Sequence, residues 1–290
     1  MSVRVTVDPA NPGQFFACCG LLELADRLWP GAEGWFEGDE FVIEPPPAAG
    51  LTTAGLLQSL IDCEVTNTMP PAQVERLREL AALTGKDRAK IAGADEELKE
   101  LMSLRRELSV VFGKPFHLVI DWFLDDHAGG SRFKTWAGQQ SVLEIATAMH
   151  RATRPTPGKL NPAEACFRAT AADAGLPFNF DSDLGGQATA IDVGFSADPL
   201  GVSSPARPFV ELLAFVGLQR FRPGEYPGEN RYSYAAWGSR LPPAVAAAVC
   251  SGGVDHRGAT LFEFRLLYRT KYLKSFLPAR PVTRPERGDR

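Results

Sequence analysis

The sequence contains few of the residues from which metal and redox sites are usually built. Its 290 residues include only four histidines and five cysteines, and no two cysteines have the CxxC spacing of zinc or dithiol motifs. A histidine-rich active site and a structural metal site are therefore not expected. The cysteines have mostly apolar neighbours, which predicts reduced thiols in a protein core. They are Cys18, Cys19, Cys63, Cys166 and Cys250.

Long apolar runs and familiar catalytic motifs are also missing. No apolar run reaches the roughly 18 residues of a membrane span, and the opening MSVRVTVDP lacks the features of a secretory signal. There is no G-x-S-x-G, no H-E-x-x-H, no P-loop, and no G-x-G-x-x-G at the start of a helix. We therefore expect a cytoplasmic protein that has no membrane partner, binds no cofactor and is not an enzyme.

The sequence also lacks an excess of positive charge. The formal net charge is −4, whereas a free-standing nucleic-acid-binding domain is usually basic. This argues against such a domain, but not against a subunit with a local basic patch, because binding follows local charge. Apolar residues make up 44% and charged residues 23% of the chain, as in ordinary soluble globular proteins.

Periodicity predicts a strand, a helix and a hairpin at the start of the chain. Valines at positions 3, 5 and 7 alternate with other residues as in a strand. Pro12 then opens a helix whose apolar residues recur at three- and four-residue steps, with Glu23 on its other side. The turn residues EGDE between WF and FVI indicate a hairpin.

The remaining pattern predicts an α+β protein with an N-terminal strand–helix–hairpin unit followed by helices, and a C-terminal part of mixed helix and sheet. We divide it into residues 1–152, a proline-rich linker at 153–162, residues 163–277 and a disordered tail at 278–290. Helices are predicted near residues 52–64, 71–84, 88–111, 141–152, 162–174, 209–216 and 243–250. Strands are predicted near residues 117–124, 232–237 and 260–272.

One group of residues is a candidate metal site. Asp121, Asp125, Asp126 and His127 follow a predicted strand, and carboxylates with an imidazole can hold a divalent ion for phosphodiester chemistry. The alternative is a solvated turn before two glycines, because acidic turns are common. We favour the turn and expect no metal here, since no second histidine motif accompanies the group.

Two basic regions are candidate nucleic-acid-binding sites. In SRFKTWAGQQ, basic and amide groups surround Phe133 and Trp136, which suits backbone contact with base stacking, or equally a loop whose aromatics anchor it in the core. In the strand at 260–272, residues of one parity form a basic face, for which the alternative is a solvated surface. The candidates are Arg132, Lys134, Gln139 and Gln140 in the first region, and Arg265, Arg269 and Lys271, extended by Lys274, in the second.

Two further candidates, Arg220 and Arg222, follow the apolar helix at 209–216. Their charge also complements the negative end of the helix dipole, by about 0.3–1 kcal/mol, so stability alone accounts for them as well as binding does.

Three segments carry a resemblance to a known family. They are NPGQFFACCGLLELADRLW near the start, VELLAFVGLQRFRP after residue 209, and YRTKYLKSFLPA near the end. In this order and at this chain length, they resemble a CRISPR-associated family, the small version of the large subunit of type I-U (also written I-G) Cascade. The match covers most of the chain in segment order and is tight over roughly fifty residues.

The resemblance implies a non-catalytic subunit of the crRNA-guided surveillance complex. Its partners would be crRNA, target DNA, the other Cascade subunits and the helicase–nuclease, and it would help to recognise the motif beside the target. No residue-level motif is carried over, so the candidate residues above come from their chemistry. Large subunits are often far longer, and the resemblance leaves open whether a separate small subunit completes the complex.

Three hypotheses about function follow. The leading one is a nucleic-acid-binding subunit of type I-U Cascade. The second is a metal-dependent phosphodiesterase or nuclease that uses the group at Asp121–His127. The third is a protein-only scaffold without nucleic-acid contact.

Overall fold

The fold is mixed α+β, as the sequence predicts. The structure is a computed structural model that describes residues 2–47, 52–124, 133–136, 140–154, 166–171, 175, 177–184, 205–226, 230–268 and 274–283. Only the first two residues of the predicted linker, and part of the helix predicted at 162–174, lie within these ranges.

The N-terminal unit confirms the predicted strand, helix and hairpin. The antiparallel sheet has the strand order β1–β3–β2. Helix α1 begins after Asn11, whose side chain accepts a hydrogen bond from the backbone N–H of Gln14. The elements are β1 (Val3–Thr6), α1 (Pro12–Leu28), β2 (Glu33–Glu37) and β3 (Glu40–Glu44).

The middle of the chain adds helices and a second antiparallel sheet, in the order β4–β5–β6. The single helix predicted at 88–111 is wrong: Gly93, at a φ of +78°, separates two helices, and a strand begins at Val110. The elements are α2 (Thr53–Asp62), β4 (Val65–Asn67), α3 (Pro71–Ala82), α4 (Gly85–Arg88), α5 (Ala94–Arg106), β5 (Val110–Phe112), β6 (Leu118–Ile120), a 3₁₀ turn (Trp122–Leu124) and α6 (Val142–Ala152).

The C-terminal part is built on an antiparallel sheet. Its strand order is β10–β9–β8–β7, and β11 also pairs with β9. Strand β11 lies inside the predicted disordered tail, so residues 280–282 are ordered in a sheet, contrary to that prediction. The elements are α7 (Pro208–Gly217), β7 (Gly224–Glu225), β8 (Arg231–Ala236), α8 (Pro243–Cys250), β9 (Thr260–Tyr268), β10 (Lys274–Phe276) and β11 (Arg280–Val282).

Helices α1 and α7 cross at the centre of the protein with their backbones in direct contact. A Cβ atom at Gly20 would overlap the carbonyl oxygen of Leu213, and one at Gly217 would overlap that of Phe16. Every residue of α7 is buried, which confirms the core prediction for this helix. The crossing joins the two predicted parts of the chain in one hydrophobic core.

Helix α1 is buried on all sides, not on one face as predicted. Its residues from Pro12 to Ala25 are buried, and Glu23, predicted on the solvent side, is 2% exposed. Glu23 is tolerated there because its carboxylate accepts hydrogen bonds from Arg27 Nε, at 2.9 Å, and from Arg220. Helix α1 lies between the N-terminal sheet, the C-terminal sheet and α7, so most of its length has no face exposed to solvent.

We predict that the substitutions Gly20→Ala and Gly217→Ala each lower the free energy of unfolding by about 3 kcal/mol or more, because the added methyl group meets backbone that cannot move aside. The matched control is Gly55→Ala in α2, where the Cβ atom has ordinary contacts only. That change should stabilise the protein by about 0.5–1 kcal/mol, since alanine favours a helix over glycine. Urea unfolding at equilibrium measures all three; an unchanged midpoint for Gly20→Ala would contradict the close crossing.

Candidate nucleic-acid interface

Two of the candidate lysines lie side by side, although 140 positions separate them in sequence. The backbone N–H of Lys274 donates a hydrogen bond to the carbonyl oxygen of Thr135, at 2.8 Å, which places β10 beside the segment of Lys134. Each ammonium group also lies over a ring: Lys134 Nζ is 5.7 Å from the ring centroid of Trp136, and Lys274 Nζ is 5.3 Å from that of Tyr268. We call Lys134, Lys274 and Tyr268 the lysine rim.

The electrostatics of the rim disfavour its two positive charges. Partial burial lowers the pKa of Lys134, and burial together with the nearby charge of Lys134 lowers the pKa of Lys274. An anion placed between the two ammonium groups would reverse both effects. The rim therefore has the charge and the desolvation of an anion-binding surface.

The aromatic residues that the structure describes in this region divide into anchors and one exposed ring. Phe133 and Trp136 are each only 4% exposed, and Trp136 packs against Trp122 and Phe178, so they fix the loop in the core. The exposed ring is Tyr268, at 52%. In the sequence, Tyr268 shares its parity with Phe264 and Leu266, which predicts a place on the buried face of the strand. That prediction is wrong because Tyr268 lies at the strand end, where this face extends beyond the core.

The structure describes only part of the predicted basic face of the strand at 260–272, which we call the basic stripe. Arg265 is exposed on β9, as predicted, but Glu263 on the same face is 6% exposed and bonded to two arginines. Lys274 does not extend the stripe, because it pairs with Tyr268 and so lies on the opposite face from Arg265. Arg269 and Lys271 fall outside the described residues.

The remaining basic and amide candidates are placed as follows. Arg220 pairs with the buried Glu23, and this hydrogen bond raises the arginine's pKa, so structure accounts for its charge. Arg222 and Gln140 are half-buried. Arg132 and Gln139 fall outside the described residues.

Of the four residues in the candidate metal site, only Asp121 lies within the described residues. Asp121 accepts a hydrogen bond from Gln219 Nε2 at 2.8 Å, and its backbone N–H donates to Gln219 Oε1 at 2.9 Å. Asp125, Asp126 and His127 fall outside the described residues. Among the residues that are described, no three metal-ligating side chains form a group.

Two histidine contacts resemble parts of catalytic sites but lack essential features. Ser239 Oγ lies 2.8 Å from His256 Nε2, yet His256 Nδ1 has no hydrogen-bond partner in the described part of the chain, so no acid orients the ring. Cys63 Sγ lies 4.0 Å from His150 Nε2, but burial raises the pKa of the thiol to about 12. A thiol that stays protonated at neutral pH is a poor nucleophile.

A buried acidic network ties the segment at 177–184 to the start of both central helices. Glu211 of α7 accepts hydrogen bonds from the backbone N–H groups of Phe180, at 3.2 Å, and Asp181, at 3.0 Å. Asp181 accepts from Asn11 Nδ2 at 2.7 Å and pairs with Arg207 at 3.0 Å. Burial raises the pKa of Glu211 to about 8 and also raises that of Asp181. Because both carboxylates are sealed from solvent, we assign the network to stability.

Comparisons with protein-family models, with curated proteins and with solved structures find no match to this chain. Within the described residues, no helix is both long enough and apolar enough to cross a bilayer.

We predict that Glu211→Gln changes the pH dependence of stability. Folding raises the pKa of Glu211 from 4.5 to about 8, so the folded protein retains a proton that the unfolded chain releases. The contribution of Glu211 to stability is thus largest below pH 4.5 and is lost as the pH rises towards 8. Glutamine mimics the protonated acid without titrating.

The melting temperature of the Glu211→Gln variant relative to the parent should therefore rise between about pH 5 and about pH 8. Asp181 retains its own dependence, of the same sign, in both proteins. A difference in melting temperature that stays constant over this range would contradict the buried, protonated state of Glu211.

Proposed function

We propose that the protein is a non-catalytic, nucleic-acid-binding subunit of a type I-U CRISPR surveillance complex. In this role it contacts crRNA or target DNA, helps to recognise the motif beside the target, and helps to recruit the helicase–nuclease. The observation that carries the binding part is the lysine rim, in which two distant segments bring two cations close together and one of them, Lys274, lies over an exposed ring. The complex itself is proposed from the resemblance of three sequence segments.

The rim suits a single strand of nucleic acid for two reasons. Two neighbouring ammonium groups can neutralise phosphates of one strand, and the repulsion between the two groups is relieved when phosphates bind. An exposed ring beside them offers a stacking surface that any base can use. A protein-only scaffold would need neither the paired charges nor the exposed ring.

We predict that the double substitution Lys134→Ala/Lys274→Ala weakens binding to single-stranded RNA or DNA and reduces the salt dependence of binding by about one unit of slope per lysine. The matched control is Lys86→Ala/Lys99→Ala, which removes two exposed lysines from helices far along the chain from the rim. Fluorescence anisotropy over a salt series measures the slope.

The exposed ring has a separate signature. Tyr268→Leu should weaken binding by about 1–3 kcal/mol for each base stacked, without changing the salt slope, because no charge is removed. Unchanged binding of the double lysine variant at every salt concentration would rule out the lysine rim as the contact. If the parent itself binds no nucleic acid, the protein-only scaffold becomes the better hypothesis.

We also predict that the purified protein does not cleave DNA or RNA in the presence of Mg²⁺ or Mn²⁺. Asp121 is committed to Gln219, and the acidic group has no second histidine motif. Incubation of labelled substrates with either ion, followed by gel analysis, is the measurement. Cleavage that Asp121→Ala abolishes would instead establish the phosphodiesterase hypothesis.

A further inference from the structure

The closing strands leave a cleft beside β9. Strands β10 and β11 pair with the same edge of β9, but Phe276 pairs with Leu266 whereas Arg280 pairs with Glu263. Residues 277–279 therefore lie opposite residues 264–265 alone, and the extra residue forms a β-bulge. A cleft of about 320 Å³ opens there, between the bulge and β9.

The charged groups of the cleft are arranged around one carboxylate. Glu263 Oε2 accepts a hydrogen bond from Arg231 at 3.1 Å, and Glu263 Oε1 accepts one from Arg280 at 3.2 Å. Both oxygens are thus occupied, and the Glu263 side chain is only 7% exposed. The carboxylate holds Arg280 at the cleft, where 70% of that arginine's side chain remains exposed.

Arg265 gives the cleft its positive charge. It lines the cleft and is paired in register with Arg231, so two arginines occupy neighbouring positions on one sheet face. Like charges placed directly opposite each other destabilise a sheet. Among the described residues, the guanidinium of Arg265 has no acidic partner and makes no hydrogen bond. Arg265 and Arg280 therefore face a shared cleft whose one carboxylate is already engaged.

We propose that this cleft binds a phosphate group, held by the guanidinium groups of Arg265 and Arg280, and that the phosphate belongs to a nucleic-acid strand. The fork of N–H donors on arginine matches two oxygens of a phosphate. The volume is at the small end of the range of ligand pockets, about 300–1,000 Å³, which leaves room for a sugar against Leu277 and Pro278.

This site is separate from the lysine rim, because Arg265 and Lys274 lie on opposite faces of the sheet. We name nucleic acid as the source of the phosphate because of the proposed function. The phosphate site itself does not depend on the proposed function. Two probes separate these parts: pyrophosphate for the cleft alone, and single-stranded RNA and DNA for the source.

The test uses the full chain with Arg265→Gln, which removes an exposed cation that has no ion pair within the described part of the chain. Calorimetry with pyrophosphate and anisotropy with oligonucleotides should both show affinity reduced about threefold to tenfold, and the oligonucleotide salt slope should fall by about one. Arg265→Lys keeps the charge without the fork and should give intermediate affinity. The matched control is Arg78→Gln, at an arginine with 75% side-chain exposure on α3, which should bind as the parent does.

The outcomes are distinct provided that the melting temperature of Arg265→Gln shows an intact fold. Equal pyrophosphate affinity in Arg265→Gln and the parent overturns the phosphate site. Loss of pyrophosphate binding with unchanged oligonucleotide binding overturns nucleic acid as the source and leaves a free phosphate compound as the ligand. If the parent binds pyrophosphate through Arg265 but binds no oligonucleotide, the proposed function fails while the phosphate site stands.

Discussion

The backbone contact between α1 and α7 is the constraint on which the rest of the structure depends. Because Gly20 and Gly217 have no side chains, the two helices approach more closely than side-chain packing would allow. This approach places Phe15 and Phe16 of α1 against Tyr234 of the C-terminal sheet. The sheets on either side of the helices therefore share one core, and displacement of either helix would disturb both.

Polar residues inside this core set the alignment of the helices. A buried carboxylate is tolerated only where donors meet it, and Glu23 and Glu211 each have donors from a distant part of the chain. Arg220, just beyond α7, reaches Glu23 of α1, while Glu211 of α7 holds the backbone at Phe180 and Asp181. A shift along either helix axis would leave a buried carboxyl group without its hydrogen-bond partners. Hydrophobic burial drives the helices together, and these pairs select one register.

The sequence predicts best where local signals act alone. Alternating valines, a proline at a helix start and a turn-rich tetrapeptide locate β1, α1 and the β2–β3 hairpin correctly. The burial of Glu23 was not predictable, because its second arginine lies 197 positions away, at Arg220. The break at Gly93 was hidden within a continuous helical pattern of apolar residues.

The candidate site shows the same limit. Lys134 and Lys274 were identified separately, from charge beside aromatic residues and from a basic closing segment, but periodicity contains no information that they meet. The parity of Tyr268 predicts a place in the core, but parity is a reliable guide to burial only where a strand remains covered. Arg280 was placed in a tail, because its contribution to the sheet depends on a bulge that no local pattern marks.

The position of α1 in the chain has a consequence for synthesis. This helix has no solvent face, yet its principal partner, α7, begins at Pro208, about 180 residues after α1 ends at Leu28. At roughly 5–20 residues per second, a ribosome needs on the order of 10–40 s to supply that partner. During this interval only the N-terminal sheet and α2 are available to cover the helix, so the side that α7 later buries, including the backbone at Gly20, stays open on the nascent chain until α7 emerges.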